Sequence, residues 1–373
     1  MVIKKDLIMK SKFYFLIVFL SLFLVNCKDD HNNIAQPQVV KVTSTTDFET
    51  PLSTCNLGDW IVVHGENLKN VSSIDVNGVE VNIRDVFCEE DKITLQIPRE
   101  LPDGEATNKI RVNVNGEISE YELSVFIPDL IVSGLENEWA LVGDTVKIYG
   151  SNFDLYDVTK EGGEVSFGNV KAEITETSSD FVKVIVPDGV VKGCGVKVKS
   201  KNSTVDAPIV YCDDRNLFEG FEGGFGWAGT DNLVTDGSRE GDVLPCNGKY
   251  FRMNQIHDGG WYIFIANAYM WPAEVWNNPE NWCLKFEIVT QLPLDGKFIQ
   301  FDQTKYQWHP GEVGAFNTYG KWQTMTMEMT DVLFNGYTQD PNNAFLFQLS
   351  LQGGNAEMVD VGFDNFRLYQ KNK

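Results

Sequence analysis

From residue 37 onward, apolar positions recur at every second residue in short runs. Gly, Asn, Asp and Pro interrupt the runs, which is the pattern of half-buried β-strands joined by tight turns. One block of strands occurs twice. Gly58-Asp59-Trp60-Ile61-Val62-Val63-His64-Gly65-Glu66-Asn67-Leu68 aligns with Gly143-Asp144-Thr145-Val146-Lys147-Ile148-Tyr149-Gly150-Ser151-Asn152-Phe153 at an offset of 85. Each copy continues with a strand pair (Ser73–Asn82; Glu164–Ile174), a strand ending in proline (Lys92–Pro98; Phe181–Pro187) and an alternating strand (Lys109–Asn115; Gly195–Lys201). Beyond residue 217 the pattern predicts seven more strands: Tyr250–Asn254, Gly260–Ala266, Trp282–Thr290, Lys297–Asp302, Trp322–Glu328, Ala344–Leu351 and Val359–Tyr369. No long run with a 3.6-residue period occurs in that part.

The expected fold is all-β: two immunoglobulin-like β-sandwiches over 37–127 and 128–211, then a larger jelly-roll-like sandwich over 217–373. Residues 212–216 (Cys-Asp-Asp-Arg-Asn) read as a linker. The Gly-Asp-x-x-x-x-x-Gly-x-Asn signature of both repeats resembles the IPT/TIG family of immunoglobulin-like domains. Neither repeat clusters rings or titratable groups, so both read as spacers, with Trp60 inside a strand pattern and expected in the core.

The chain begins differently. Lys4, Lys5, Lys10 and Lys12 precede Phe13–Val25, which is apolar except for Tyr14 and Ser21. That run is too short to span a bilayer as a mature helix and fits a signal peptide over 1–26. Leu24-Val25-Asn26-Cys27 resembles a bacterial lipobox, although Asn26 departs from the usual small residue. Lys28-Asp29-Asp30 looks like the acidic export signal of Bacteroidetes surface lipoproteins. The resemblance implies a lipid on Cys27, an outer-membrane anchor facing the exterior, and a short tether over 27–36. The formal charge is -22, and cleavage would remove four lysines and one aspartate. Such a surface disfavours nucleic acid and anionic membranes as partners and tolerates a neutral ligand.

Candidate chemistry concentrates in the last domain, which holds seven of the nine tryptophans. Trp261, Trp271, Trp276, Trp282 and Trp308 fall within 48 residues, several beside loop formers: Met270-Trp271-Pro272, Trp276-Asn277-Asn278-Pro279, Trp308-His309-Pro310-Gly311. Rings in such settings tend to lie near the surface, and flat rings beside amides suit a sugar, with its apolar C–H face and hydroxyl rim. Trp322 and Trp282 open strands and are expected to pack. Trp261 and Tyr262 are neighbours on a strand, so at most one points at a ligand. Tyr306 and Trp308, two apart, share a face if extended. Trp271, Trp276, Tyr306 and Trp308 are the expected platform, with Trp227 in reserve. Gln307 is the favoured polar partner, and His309, Asp258, Asn277 and Asn278 lie close enough to assist or simply to build turns.

The layout of export signal, tandem IPT/TIG domains and Trp-rich sandwich resembles the surface glycan-binding proteins of polysaccharide utilisation loci. Within the last domain the likeness rests on Phe225-Gly226-Trp227, Gly320-Lys321-Trp322-Gln323-Thr324 and Phe363-Asp364-Asn365-Phe366-Arg367-Leu368-Tyr369. It implies non-catalytic capture of a complex polysaccharide, xyloglucan-like or another β-glucan or hemicellulose, for a SusC/SusD-like outer-membrane importer. No cofactor is implied.

Six cysteines follow Cys27, two per domain (Cys55 and Cys88, Cys194 and Cys212, Cys246 and Cys283), which permits one bridge each or buried thiols. None has zinc-site spacing. A glycan-cleaving enzyme would need two carboxylates flanking the bond. Glu219 with Glu222, or Glu274 with Glu280, are the available pairs, and neither lies on a regular strand. No Gly-x-Ser-x-Gly or His-Glu-x-x-His occurs. An adhesin working through its immunoglobulin-like repeats is the remaining alternative.

Overall fold

A computed structural model of the chain describes residues 36–223, 231–311, 314–333 and 344–371. The chain divides into two compact units, 1–127 and 128–373. Cys27 and Trp227 lie outside the described residues, as does the signal segment.

The first unit is a sandwich of two four-stranded sheets. One runs Gln38–Ser44, Trp60–Glu66, Lys92–Gln96, Phe87–Cys88, the other Val79–Glu80, Val71–Val76, Lys109–Val114, Glu117–Glu122. Ser124–Phe126 pairs in parallel with Thr54–Asn56. In the second unit a seven-stranded ladder from Ile131–Leu135 to Thr204–Tyr211 forms the second immunoglobulin-like domain.

The repeated motif has the same physical basis in both copies. A Cβ on Gly65 or Gly150 would come within 2.0 Å of the carbonyl oxygen of Gln38 or Ile131, so only glycine fits. Asn67 (φ 58°) and Asn152 (φ 66°) hold left-handed backbone, which asparagine tolerates. Each turns its amide back to the incoming strand, Asn67 to the Gln36 carbonyl at 3.0 Å and Asn152 to that of Asp129 at 2.8 Å. The apolar residue that follows, Leu68 or Phe153, is fully buried.

The terminal domain packs a six-stranded sheet on a four-stranded one. The first has the order Val234–Thr235, Tyr250–His257, Glu357–Gln370, Trp282–Thr290, Gln323–Glu328, with Leu217–Glu219 also on Glu357–Gln370. The second has the order Tyr262–Tyr269, Phe345–Gly353, Lys297–Phe301, Tyr306–Trp308. The predicted strands are all present, shifted by a few residues at their ends. Phenylalanines fill the space between the sheets, with Phe264 stacked on Phe363 at 5.0 Å.

The closing strand carries a bulge at Asn365 (φ 50°), where the partner strand advances from Lys285 to Glu287 while this one passes from Arg367 to Asp364. The extra residue lets Phe363 and Phe366, three apart, both enter the core. It also turns Asp364 and Arg367 to the opposite face. There Arg367 bonds Glu287 at 2.8 Å and Glu138 of the preceding domain at 2.8 Å, and Lys285 reaches Glu138 at 2.5 Å. All four are buried. Residues 212–216 are consequently not a loose linker: the Cys212 amide donates to the Glu138 carbonyl, Asp213 is buried, and the Asn216 side chain donates to the Leu368 carbonyl.

Candidate functional site

With one outward face of the terminal sandwich closed by the neighbouring domain, the four-stranded sheet supplies the other. Strand alternation sorts its residues. Phe345, Phe347, Leu349 and Leu351 point inward and are buried, while Gln348, Ser350 and Gln352 point outward. On the next strand Ile299 and Phe301 point inward, leaving Phe298, Gln300 and Asp302 outside.

Register places the edge strand. Tyr306 lies opposite Phe301, Gln307 opposite Gln300, and Trp308 opposite Ile299. Tyr306 and Trp308 do share a face, and it is the inner one. Trp308 meets Phe286 and Phe316 edge-on, and Tyr306 packs on Phe301. Both are half-buried at the sandwich margin. This corrects the expectation that they form an open platform. The error came from ranking residue type over register, since an edge strand still has one face against the core.

Trp271 is a second correction. It is 6% exposed, covered by Phe345 at 4.6 Å and by Trp276 at 5.4 Å in a near-parallel stack. Pro272 opens a short helix, Ala273–Asn277, that folds Trp276 back onto it. The flanking Pro and Asn thus signal a compact helical turn rather than an exposed loop, and only Trp276 keeps part of its surface. Trp60, expected in the core, is 44% exposed. Trp322 is half-buried against the second immunoglobulin-like domain, its Nε1–H donating to the Leu244 carbonyl at 2.8 Å. All six described cysteines are free thiols, so the bridged alternative does not hold. Asp258 caps its own turn through the Gly260 amide.

Outside the terminal sheet stands a ring that sequence reasoning did not select. Trp261 is 60% exposed, and its Nε1–H donates to Asp302 at 3.1 Å. Its position is set from behind. Gly259 has φ 88°, and a Cβ there would approach the Gly354 carbonyl to 2.6 Å, so the turn needs glycine. Buried His257 accepts from the Gly259 amide at Nδ1, which leaves the proton on Nε2, facing the carbonyls of Gly260 (3.0 Å) and Leu351 (3.1 Å). The imidazole therefore clamps the Asp258–Gly260 turn to the sheet and fixes where Trp261 emerges.

Asp302 organises the rest of the face. Besides Trp261 it accepts from Gln300 (2.7 Å), Gln348 (2.8 Å) and Ser350 (2.9 Å). The network continues outward, with Gln307 donating to Gln300 at 3.0 Å and Gln352 to Ser350 at 3.0 Å. Exposed His309 closes the edge, its ring 4.9 Å from that of Phe298. Every donor that reaches Asp302 here is neutral. An exposed indole beside ordered amides is complementary to a flat, uncharged, hydroxyl-bearing ligand: the ring covers C–H groups, and the amides exchange bonds with hydroxyls. Of the expected residues, Gln307 and His309 belong to this face. Its remaining members were not singled out because a strand of Gln, Ser and Asp alternating with Phe and Leu reads simply as a solvated sheet.

Glu219 does not face a groove: it is buried, accepting from the Tyr269 hydroxyl and, at 2.8 Å, from the Phe221 amide. Glu222 accepts from the Lys249 amide. Among the described residues no group of three or more His, Cys, Asp or Glu is arranged to hold a metal.

Residues 211–370 match the family described as the surface glycan-binding protein B xyloglucan binding domain, and residues 131–211 match the IPT/TIG domain. An IPT/TIG domain-containing protein of Bacteroides ovatus is 26% identical over 144 residues, which are 37% of this chain and 29% of that relative's length. The chain thus aligns with under a third of that relative. The crystal structure of a surface glycan-binding protein from Prevotella bryantii superposes with a TM-score of 0.59 at 17% identity, covering 90% of this chain and 99% of the other. An SGBP-B from a complex xyloglucan utilization locus in Bacteroides uniformis superposes with a TM-score of 0.51 at 15% identity, again covering 90% and 99%. At these identities the structural matches establish the shared fold. Residues 131–370 thus carry a match to the IPT/TIG domain followed by a match to the surface glycan-binding protein B xyloglucan binding domain.

Proposed function

We propose that the protein is a non-catalytic glycan-binding lipoprotein that captures a neutral β-glucan or hemicellulose, xyloglucan or a related polymer, on the outer face of its terminal four-stranded sheet. The observation that carries this is Trp261 standing beside a row of amides ordered by Asp302. In this reading Trp261 covers the apolar face of one sugar, and Gln300, Gln307, Gln348 and Gln352 grip the rim.

One ring on one sugar removes about 100 Å² of apolar surface, worth at most about 2.5 kcal/mol, and each amide bond adds about 1 kcal/mol net. After the cost of ordering a flexible chain, a dissociation constant near millimolar follows for a short oligosaccharide. Many anchored copies on one polymer raise the working affinity by orders of magnitude. Weak single contacts also suit a protein that passes its ligand on. The lipobox at Cys27 and the following acidic residues support anchoring at the outer membrane, and the family's setting supports delivery to a SusC/SusD-like importer.

The test is retention in native gels containing soluble polysaccharides, with xyloglucan, mixed-linkage β-glucan, xylan and mannan as the panel. The wild-type chain is expected to be slowed by at least one β-glucan or hemicellulose, and Trp261→Ala to run freely with an unchanged unfolding midpoint. Normal retention of the Trp261→Ala chain would move the site elsewhere. Sustained release of reducing ends would move the protein to the enzymes. Globomycin-sensitive membrane fractionation of the chain and its Cys27→Ala variant tests the anchor.

A further inference from the structure

The first immunoglobulin-like domain also carries an exposed tryptophan that its fold does not require. Trp60 starts an inner strand of a four-stranded sheet, directly opposite Gln96, and points outward. At the equivalent position of the second repeat stands Thr145, so the sandwich closes equally well without a ring there. Outward-facing Phe87, opposite Thr94 on the same sheet, is 68% exposed, and Phe126 is 63% exposed. Trp60 is a wall of two adjoining clefts. One, of about 640 Å³, also takes in Phe126 and Asn56. The other, of about 620 Å³, takes in Phe87, Gln96 and Asn82. Both volumes lie in the range of small-ligand sites. Isolated apolar side chains on a surface need no explanation, but three aromatic rings in one strip do.

The chemistry of the strip selects its occupant. Amides (Asn56, Asn82 and Gln96) lie between the rings, with Asp59 in the first cleft and the oppositely charged Glu80, Arg84, Asp85, Arg99 and Glu100 on the walls of the second. Gln96 is itself ordered by donating to the Gly58 carbonyl at 2.9 Å. This repeats the composition of the terminal face: an exposed indole on the outside of a four-stranded sheet, with a glutamine on the adjoining strand. The acidic charge of the chain favours an uncharged ligand here as well. We propose that Trp60, with Phe87 and Phe126 on either side, forms a second binding surface for a neutral polysaccharide, so that one chain engages a polymer at two points. This rests on the ligand class assigned to the terminal face but not on that face being functional.

The experiment compares full-length wild type, Trp60→Thr, Trp261→Ala and the double variant by calorimetric titration and gel retention with the same four polysaccharides. Phe87→Ala serves as a second lesion on the strip. Trp60→Thr installs the residue of the second repeat, so the unfolding midpoint should not move. Two separated contacts on one polymer predict a 3- to 10-fold loss of polymer affinity for Trp60→Thr, a smaller loss for Phe87→Ala, and a further drop for the double variant relative to Trp261→Ala. A Trp60→Thr chain indistinguishable from its parent in both backgrounds overturns the inference and leaves the terminal site standing. Loss of binding in Trp60→Thr with full binding in Trp261→Ala would do the reverse. If Trp60→Thr alters only the sedimentation of the unliganded chain, the strip is a protein contact and the proposal fails. No retention of the wild-type chain by any polymer overturns both.

Discussion

The terminal sandwich has two outward faces, and each is organised around buried carboxylates. On the six-stranded sheet Glu287 and Glu138 are met by Arg367 and Lys285, and the second immunoglobulin-like domain seals the cluster from water. On the four-stranded sheet Asp302 is met by an indole, two glutamines and a serine. A sealed carboxylate needs a cation, because no solvent compensates its lost hydration. A carboxylate at an open face can be satisfied by neutral donors, and those donors keep further hydrogen-bonding groups for a ligand. The kind of partner around an acid thus separates a structural joint from a recognition surface.

The largest expected effect breaks the sealed side. Arg367→Ala leaves Glu287 and Glu138 buried without their main cation, a loss of about 3–5 kcal/mol. Urea unfolding of the full chain should show it in the transition that reports the second unit. Arg367→Met, which keeps volume but not charge, helps little while both glutamates remain. Trp271→Ala is expected to cost a similar amount, about 3–5 kcal/mol, by opening a cavity among Phe345, Trp276 and Phe218. Neither change should weaken glycan retention by the folded fraction.

The open side should respond in the opposite sense. Trp261→Ala is expected to lower affinity for the retained polysaccharide about 10- to 70-fold, the equivalent of about 1.4–2.5 kcal/mol. Stability should stay within about 0.5 kcal/mol of wild type. His257→Ala sharpens the point. It touches no ligand, but freeing the Asp258–Gly260 turn should cost part of the same affinity, and His257→Gln, which keeps a donor, should restore some of it. A His257→Ala chain that binds normally would show that Trp261 is held by the sheet alone.

How far the sequence reveals this contrast depends on the scale of the signal. Strand positions were legible because alternation is local, and the repeat was legible because Gly65 and Gly150 answer the same steric demand. The sidedness of Tyr306 and Trp308 was not, because it is fixed by pairing with Ile299 and Phe301 through a turn whose register no local rule supplies. Trp271 was misplaced because its cover comes from Phe345 and Phe347, more than 70 residues away. Trp261 was left off the expected platform because alternation with Tyr262 allows only one of the two to point at a ligand and does not say which, whereas the folded Asp258–Gly260 turn is what lifts the Trp261 ring out of the core. Arg367 was noted only as part of a recurring closing strand. Its partner Glu138 belongs to another domain, and no spacing announces it.

The smallest effect concerns an acid that fits neither side. Asp364 is fully buried beside the Cys246 thiol at 3.3 Å and accepts from the Asn365 amide. Among the described residues no cation pairs with it in the manner of Arg367 and Glu287. Burial, aided by the charge of Glu287, holds its carboxyl well above the usual range, against the smaller opposing pull of the Cys246 hydrogen bond. A folded-state value above the unfolded one means that the native state binds the proton more tightly. The associated stability is fully present below the unfolded value of about 3.9 and is lost as pH rises through the folded value. Burial pushes the Glu287 carboxyl in the same direction, so the two slopes add. Asp364→Asn keeps the acceptor for Asn365 and removes the titration. Its unfolding free energy should therefore fall less steeply with rising pH than that of the wild type, and the variant should be the more stable at neutral pH. Parallel pH profiles would mean that Asp364 is ionised in the folded chain and finds compensation that its neighbours do not supply.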